Sequence, residues 1–244
     1  TTVDANEIAR FAALADEWWN PDGSFQPLHK LNPVRLQFIR NRLATHHERN
    51  PLEPRPLEGL QVLDVGCGGG LICEPLCRLG ATVTGIDASD KNIGVARNHA
   101  ERVGLKIDYR HGAIENLAVE GRLFDAVLSL EVVEHVADVG TFVAACCSMV
   151  RPGGFAIFAT LNRTAKSFAF AIIGAEYLLR WLPRGTHDWR MFLKPSEFCA
   201  LLRGQNFTIA DMKGLSYNIL FDEWILSDDL NVNYMLFAKK ANTA

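Results

Sequence analysis

The sequence predicts a doubly wound α/β fold: a seven-stranded, mostly parallel sheet with N-terminal helices and one inserted amphipathic segment. Short apolar runs alternate with helical stretches from Gln61 to Thr160, and a glycine cluster sits at the first strand-to-helix junction. With 244 residues, 48% of them hydrophobic, the chain can bury one full core. The expected organisation is a single domain over 1–244, made of a helical cap and linker (1–56), a ligand-binding core (57–160), an insert or lid (161–193) and a C-terminal helix with strands (194–244).

Ile8, Phe11, Ala12, Leu14 and Ala15 recur at helical spacing before Trp18-Trp19-Asn20-Pro21-Asp22-Gly23 breaks the pattern. A second helix runs from Val34 to Leu43 after Asn32-Pro33, and Pro51, Pro54 and Pro56 make a stiff linker. Gln61–Val65 is the first strand. A helical stretch from Leu71 to Leu79 and the strand Thr82–Ile86, ending on Asp87, complete a βαβ unit. A helix around Ser89–Val103, strands at Lys106–Arg110 and Asp125–Leu130, a helix around Val139–Val150 and a strand at Phe155–Thr160 continue the alternation. After the insert Ala165–Leu182 come a helix near Pro195–Arg203 and closing strands near Thr208–Leu215 and Asn233–Lys239.

A net charge of -3, with Lys and Arg scattered, gives no positive field for nucleic acid. The six cysteines form neither CxxC pairs nor a secreted disulfide pattern, so reduced thiols in an intracellular compartment are expected. No signal peptide opens the chain, and the most apolar run, Phe168–Ala175, falls short of the roughly 17–25 residues that span a bilayer. The expectation is a soluble protein, at most peripheral to a membrane; its start at Thr1 leaves room for a trimmed targeting segment.

Val62-Leu63-Asp64-Val65-Gly66-Cys67-Gly68-Gly69-Gly70 places glycines where backbone approaches a ligand. A dinucleotide fingerprint would need a glycine at Leu71 or Cys73, which counts against a nicotinamide dehydrogenase. Asp64, before the first glycine, repels pyrophosphate but accepts hydrogen bonds from an ammonium group, so the spacing Asp-x-Gly-x-Gly-x-Gly points to a cation-bearing nucleoside. Asp87, at the end of the second strand, stands where a carboxylate takes both ribose hydroxyls. The bland reading is a tight turn with Asp87 as a helix cap.

The fourth strand runs into Glu131-Val132-Val133-Glu134-His135-Val136. If this stretch is helical, Glu131, Glu134 and His135 share a face. They are then a divalent-metal set, or His135 is a general base on a phenol, or Glu134 and His135 are a structural pair. Mg²⁺ prefers oxygen ligands, which makes His135 an awkward member. Leu130 would form an apolar wall against adenine.

The glycine loop, Asp87 and Arg151-Pro152-Gly153-Gly154 before the fifth strand resemble the class I methyltransferases that use S-adenosylmethionine. The loop His111-Gly112-Ala113-Ile114-Glu115 departs from them in lacking the Asp that many direct at the adenine amine, which leaves adenine to backbone groups. More specifically, several stretches resemble the ubiquinone-biosynthesis O-methyltransferase family. They are Trp18-Trp19, Pro27 to Arg35, Asp64 to Gly70, Glu131 to Val136, Thr160 to Thr164, Gly174 to Tyr177, Pro183 to Asp188 and Asn231 to Tyr234. The resemblance implies O-methylation of polyprenylated hydroxyphenol (catechol) and demethylubiquinol intermediates, with S-adenosylmethionine bound by Arg35, Gly66, Asp87 and Leu130. From eukaryotic relatives it implies Mg²⁺ on Glu131, Glu134 and His135. Arg35 rests on this resemblance alone. A lipid-tailed substrate makes the insert at 165–182, flanked by Lys166, Arg180, Arg184 and Arg190, a membrane-surface helix. The expected location is cytoplasmic and peripheral to a bacterial inner membrane, or the mitochondrial matrix face, with other ubiquinone-biosynthesis proteins as partners. The alternatives are a methyltransferase of another small hydroxylated or amine acceptor, and a non-catalytic scaffold that binds S-adenosylmethionine.

His29 and His187 read as hydrogen-bonded structural residues, and Cys73 with Cys77 as core packing. Trp18 and Trp19 either cap the ligand or staple the N-terminal helix.

Overall fold

The structure, a computed structural model, describes residues 2–168, 189–218 and 221–242. Eight strands form one sheet: β1 Gln61–Val65, β2 Thr82–Asp87, β3 Asp108–His111, β4 Phe124–Leu130, β5 Val150–Leu161, β6 Phe207–Asn218, β7 Glu223–Ser227 and β8 Asn233–Lys240. Their order is β3-β2-β1-β4-β5-β8-β6-β7. The first five pair in parallel, while β8 is antiparallel to both β5 and β6, and β7 to β6. Chain order runs one way from β1 through β2 to β3 and the other way from β4 to β5. The crevice between β1 and β4 is therefore the switch point at which such sheets bind ligands.

The strands are apolar on both faces because helices cover both. On one face, Phe38, Ile39 and Leu43 of α2 (Gln26–His46), Leu76 of α3 (Cys73–Arg78) and Ile93 of α4 (Asp90–Arg102) pack with Ile157 and Phe237. On the other, α5 (Ile114–Ala118), α6 (Val139–Ser148) and α8 (Pro195–Gly204) bring Leu117, Phe142 and Phe198 against the neighbouring sheet residues Phe158 and Leu236. Cys73 is fully buried and Cys77 partly so, both as free thiols.

Four features differ from the expectation. The sheet gains an eighth strand, β7, paired to β6 from Gly214↔Ser227 to Asn218↔Glu223. The segment Arg151-Pro152-Gly153-Gly154 lies within β5 as an irregularity, where the register with β4 slips between Phe124 and Ala126 and Gly153 takes φ 75°. Helix α2 begins at Gln26, with Pro27 in its first turn, and runs on through Pro33 rather than starting after it. The short α5 was not anticipated.

Ahead of α2, α1 (Ala5–Ala13) is capped by the Asp4 side chain, which accepts from the Asn6 and Glu7 backbone. Beyond β5, α7 (Ala165–Ser167) opens the insert, capped by Thr164. The rest of the proposed membrane helix, with Gly174 to Tyr177, Arg180, Trp181 and Pro183 to Asp188 including His187, lies outside the described residues. Among the described residues no helix is long and apolar enough to cross a membrane.

Candidate active site

A cavity of about 720 Å³ opens over the carboxyl ends of β1, β2 and β4. Its floor is the glycine loop. Gly66 and Cys67 donate backbone N–H to Ile86 O (2.8 and 3.1 Å), and the Gly68 N–H donates to Asp87 Oδ2 at 2.9 Å. Gly68 has φ 53°, and a Cβ there would enter the Trp18 ring, so both backbone and space demand glycine. The roof is the chain's own beginning, with Glu7, Phe11, Trp18 and Phe25 lining the cavity from above. The two tryptophans are staples: Trp18 Nε1 donates to Asn92 Oδ1 (3.0 Å) and its ring stacks on Phe25, while Trp19 Nε1 donates to Gly69 O (2.9 Å) and its ring stacks on His99. His29 Nε2 lies 2.9 Å from Trp18 O, a structural contact.

The structure brings Asp64, Gly66, Gly68, Asp87, Leu130 and Arg35 to this one cavity. Gly70 is set apart: it is not among the lining residues, and its N–H closes the loop onto Cys67 O at 2.9 Å. Asp64 is 3% exposed; burial pushes its carboxyl up to about 7, against the hydrogen bond from Cys73 Sγ at 3.2 Å. Asp87 is also raised by burial, less so because Ser89 N, Gly68 N and Asn92 Nδ2 donate to it. Arg35, buried in α2, pairs through Nη2 with Glu131, and through Nη1 with Asn32 Oδ1 at 3.3 Å. Its Nε is buried without a partner. An orphaned donor on a buried cation, beside a positive-φ loop and two carboxylates, fits the amino-acid end of S-adenosylmethionine.

The acidic turn differs from the expected helix. Glu131 stands in the left-handed region at φ 55°, and only Val133–His135 makes a 3-10 turn. The three side chains therefore do not share a face. Glu131 is held by Arg35, Glu134 turns inward to accept from Thr160 Oγ1 (2.9 Å), and His135 Nδ1 meets Glu7 Oε2 at 2.7 Å with Phe11 edge-on to its ring. Burial, then the Glu131 charge, pushes Glu134 well above the usual carboxyl range. Among the described residues no three His, Cys, Asp or Glu side chains form a metal-holding group. As arranged, the three residues expected to hold Mg²⁺ are turned to separate partners: Arg35 sits on Glu131, Glu134 on Thr160 and Glu7 on His135.

Sequence reasoning missed Glu7, Phe11 and the lining residues Leu215, Tyr217 and Trp224 on β6 and β7. Glu7 precedes the periodic residues Ile8 and Phe11 on α1, and only that helix's docking over His135 reveals its place.

A methyltransferase-domain family matches residues 63–158. The ubiquinone biosynthesis O-methyltransferase of Mesorhizobium japonicum is 54% identical over 242 residues, covering 99% of this chain and 97% of that protein. The protein of that name from Agrobacterium fabrum is 53% identical over 244 residues, 100% of this chain and 98% of its own. Among solved structures, magnesium protoporphyrin IX methyltransferase from Synechocystis with bound S-adenosylmethionine superposes with a TM-score of 0.61 at 18% identity, covering 99% of this chain and 100% of the other. An S-adenosylmethionine-dependent methyltransferase from Clostridium acetobutylicum gives 0.62 at 16% identity, over 96% and 98%. At such identities these two show the fold, that of class I methyltransferases.

Proposed function

The chain belongs to the ubiquinone biosynthesis O-methyltransferase family, and from that premise we propose that it methylates a hydroxyl of polyprenylated hydroxyphenol (catechol) and demethylubiquinol intermediates. The observation that supports the reading best is a single cavity with Asp64 and Asp87 on the β1–β2 side, Arg35 paired to Glu131 just after β4, and apolar Leu215 and Trp224 on the β6–β7 side. A charged nucleoside and a lipid-tailed ring ask for those two surfaces. When bound, S-adenosylmethionine supplies an electrophilic methyl group. Arg35 Nε offers its N–H to the amino-acid carboxylate, Asp64 its carboxylate to the ammonium, Asp87 its oxygens to the ribose hydroxyls, and Leu130 an apolar wall to the base.

Methyl transfer to oxygen is an in-line displacement that needs an ionised, aligned acceptor. His135 lines the cavity and takes the phenol proton, with Glu7 orienting the ring through Nδ1 and stabilising the imidazolium that forms. Methyl transfer from labelled S-adenosylmethionine to a short-tailed polyprenyl catechol is expected to persist in excess chelator. His135→Gln is expected to lower kcat about 100-fold while KM for the methyl donor moves less than about 3-fold. Turnover that collapses on chelation would restore Glu131, Glu134 and His135 as metal ligands; no turnover in either condition would remove the acceptor assignment.

The lipid tail brings the substrate to a membrane, and the segment 165–182 is the proposed docking helix, holding the enzyme at the cytoplasmic face in organisms like its bacterial relatives. Phe168, 44% exposed with its ring edge-on to Trp189, supports this. The protein is expected to pellet with anionic phospholipid vesicles, and Phe168→Glu/Ile172→Glu to reduce pelleting at least about 5-fold at unchanged melting temperature. Undiminished pelleting would remove the docking role.

A further inference from the structure

The acceptor side of the cavity is walled by Leu28 and Leu31 of α2, Leu161 at the end of β5, and Leu215 and Trp224. Such a wall suits a hydrocarbon tail but offers a ring oxygen nothing. Two buried asparagines interrupt it. Asn32, on α2, is 7% exposed, and Asn233, which opens β8, is 5% exposed; both line the cavity. In the sheet Asn233 lies opposite Leu161, three strands out from β1 and so away from the Asp64 and Asp87 end.

Chemistry sets the direction of each amide. Asn32 takes Arg35 Nη1 at 3.3 Å, and Asn233 takes the Leu215 backbone N–H at 3.2 Å. A guanidinium and a peptide N–H are donors only, so the atom facing each must be the carbonyl oxygen, Oδ1. That leaves both Nδ2 groups, themselves donors only, without a partner among the described residues. Neither nitrogen is sealed in the protein interior, so both reach the cavity that these residues line. A desolvated N–H left unpaired calls for an acceptor from a ligand. In a catechol and in demethylubiquinol alike, an oxygen stands on the ring carbon next to the one that carries the reacting hydroxyl.

We propose that Asn32 and Asn233 form the oxygen clamp for the methyl acceptor: their Nδ2 groups donate to oxygen on the ring position beside the reacting hydroxyl, and so select rings with neighbouring oxygens. The inference rests on the hydroxyphenol reading above and deepens it by naming what recognises the ring. Holding the neighbouring oxygen stops the ring from turning, and thereby fixes the line along which the reacting oxygen approaches the methyl group. A monophenol gives the two donors nothing to hold, leaves them unpaired and is rejected.

The test is methyl transfer from labelled S-adenosylmethionine to two acceptors: the short-tailed polyprenyl catechol, and the matching monophenol in which the hydroxyl beside the reacting one is replaced by hydrogen. Asn32→Asp and Asn233→Asp keep the oxygen that Arg35 and Leu215 use and lose only the donor. Melting curves establish folding, and Asn32→Ala and Asn233→Ala stand in wherever an Asp variant unfolds. The wild type is expected to favour the catechol at least about 100-fold in kcat/KM, and each variant to cut that preference about 10-fold. Affinity for S-adenosylhomocysteine, by calorimetry, is expected to move less than about 3-fold. Variants that keep the preference, or a wild type without one, overturn the inference and leave the hydroxyphenol reading intact. Weakened S-adenosylhomocysteine binding with the preference unchanged overturns it by assigning the amides to the cofactor. No turnover of either acceptor by the wild type overturns the hydroxyphenol reading itself, and the inference with it.

Discussion

Asp64→Asn is expected to weaken S-adenosylmethionine binding about 100-fold while making the empty protein harder to unfold at neutral and alkaline pH. The carboxyl is buried and titrates near 7 rather than at its ordinary 3.8. Between those values the folded protein keeps a proton that the unfolded chain has released, so this group's contribution to stability falls as pH rises through that window and levels off above 7. Asparagine never ionises and escapes the loss, on the order of a few kcal/mol. Binding runs the other way. The ligand's cation needs the ionised form, so below pH 7 each binding event must expel a proton. Affinity is therefore expected to tighten as pH rises from 6 to 7.5, and calorimetry at pH 6 in buffers of different ionisation enthalpy should show about one proton released per ligand bound. The Asn variant should show neither effect, and absence of proton release from the wild type would refute the argument.

Arg35→Met is the other substitution with a large expected effect, because one guanidinium has two duties. Paired with Glu131 in a buried setting, it balances a charge; its unpartnered Nε is the donor proposed for the ligand's carboxylate. The single variant leaves Glu131 without its cation, at an expected cost of about 2–4 kcal/mol, and lowers kcat/KM about 1000-fold. Arg35→Met/Glu131→Leu removes both charges. Its urea midpoint is expected to return most of the way to wild type while S-adenosylmethionine binding stays lost. Recovery of binding in the double variant would mean that Arg35 serves only to neutralise Glu131.

The parts legible in the sequence are those set by neighbours along the chain. The βαβ alternation, the glycine loop and Asp87 depend on spacing, and the structure has them in the expected places. Strand β7 was missed because a short edge strand is half exposed, and Glu223-Trp224-Ile225-Leu226-Ser227 carries little alternation for a pattern to register. The turn after β4 was misread because helical spacing assumes helical dihedrals, and Glu131 has a positive φ. That single torsion sends Glu131, Glu134 and His135 to three different partners. Glu7 and Glu115 were invisible for another reason: their partners, His135 and Thr2, lie more than a hundred residues away in sequence.

That distance bears on how the protein is made. The residues over the site leave the ribosome well before their anchors: Asn92 for Trp18, 74 residues on; Glu131 for Arg35, 96 on; Glu115 for Thr2, 113 on. Closing such long loops is entropically costly until the sheet exists to receive them, so a segment synthesised before the sheet settles after it. Until then the nascent enzyme has a floor of glycines and carboxylates without its roof, and competence to bind arrives when that roof docks.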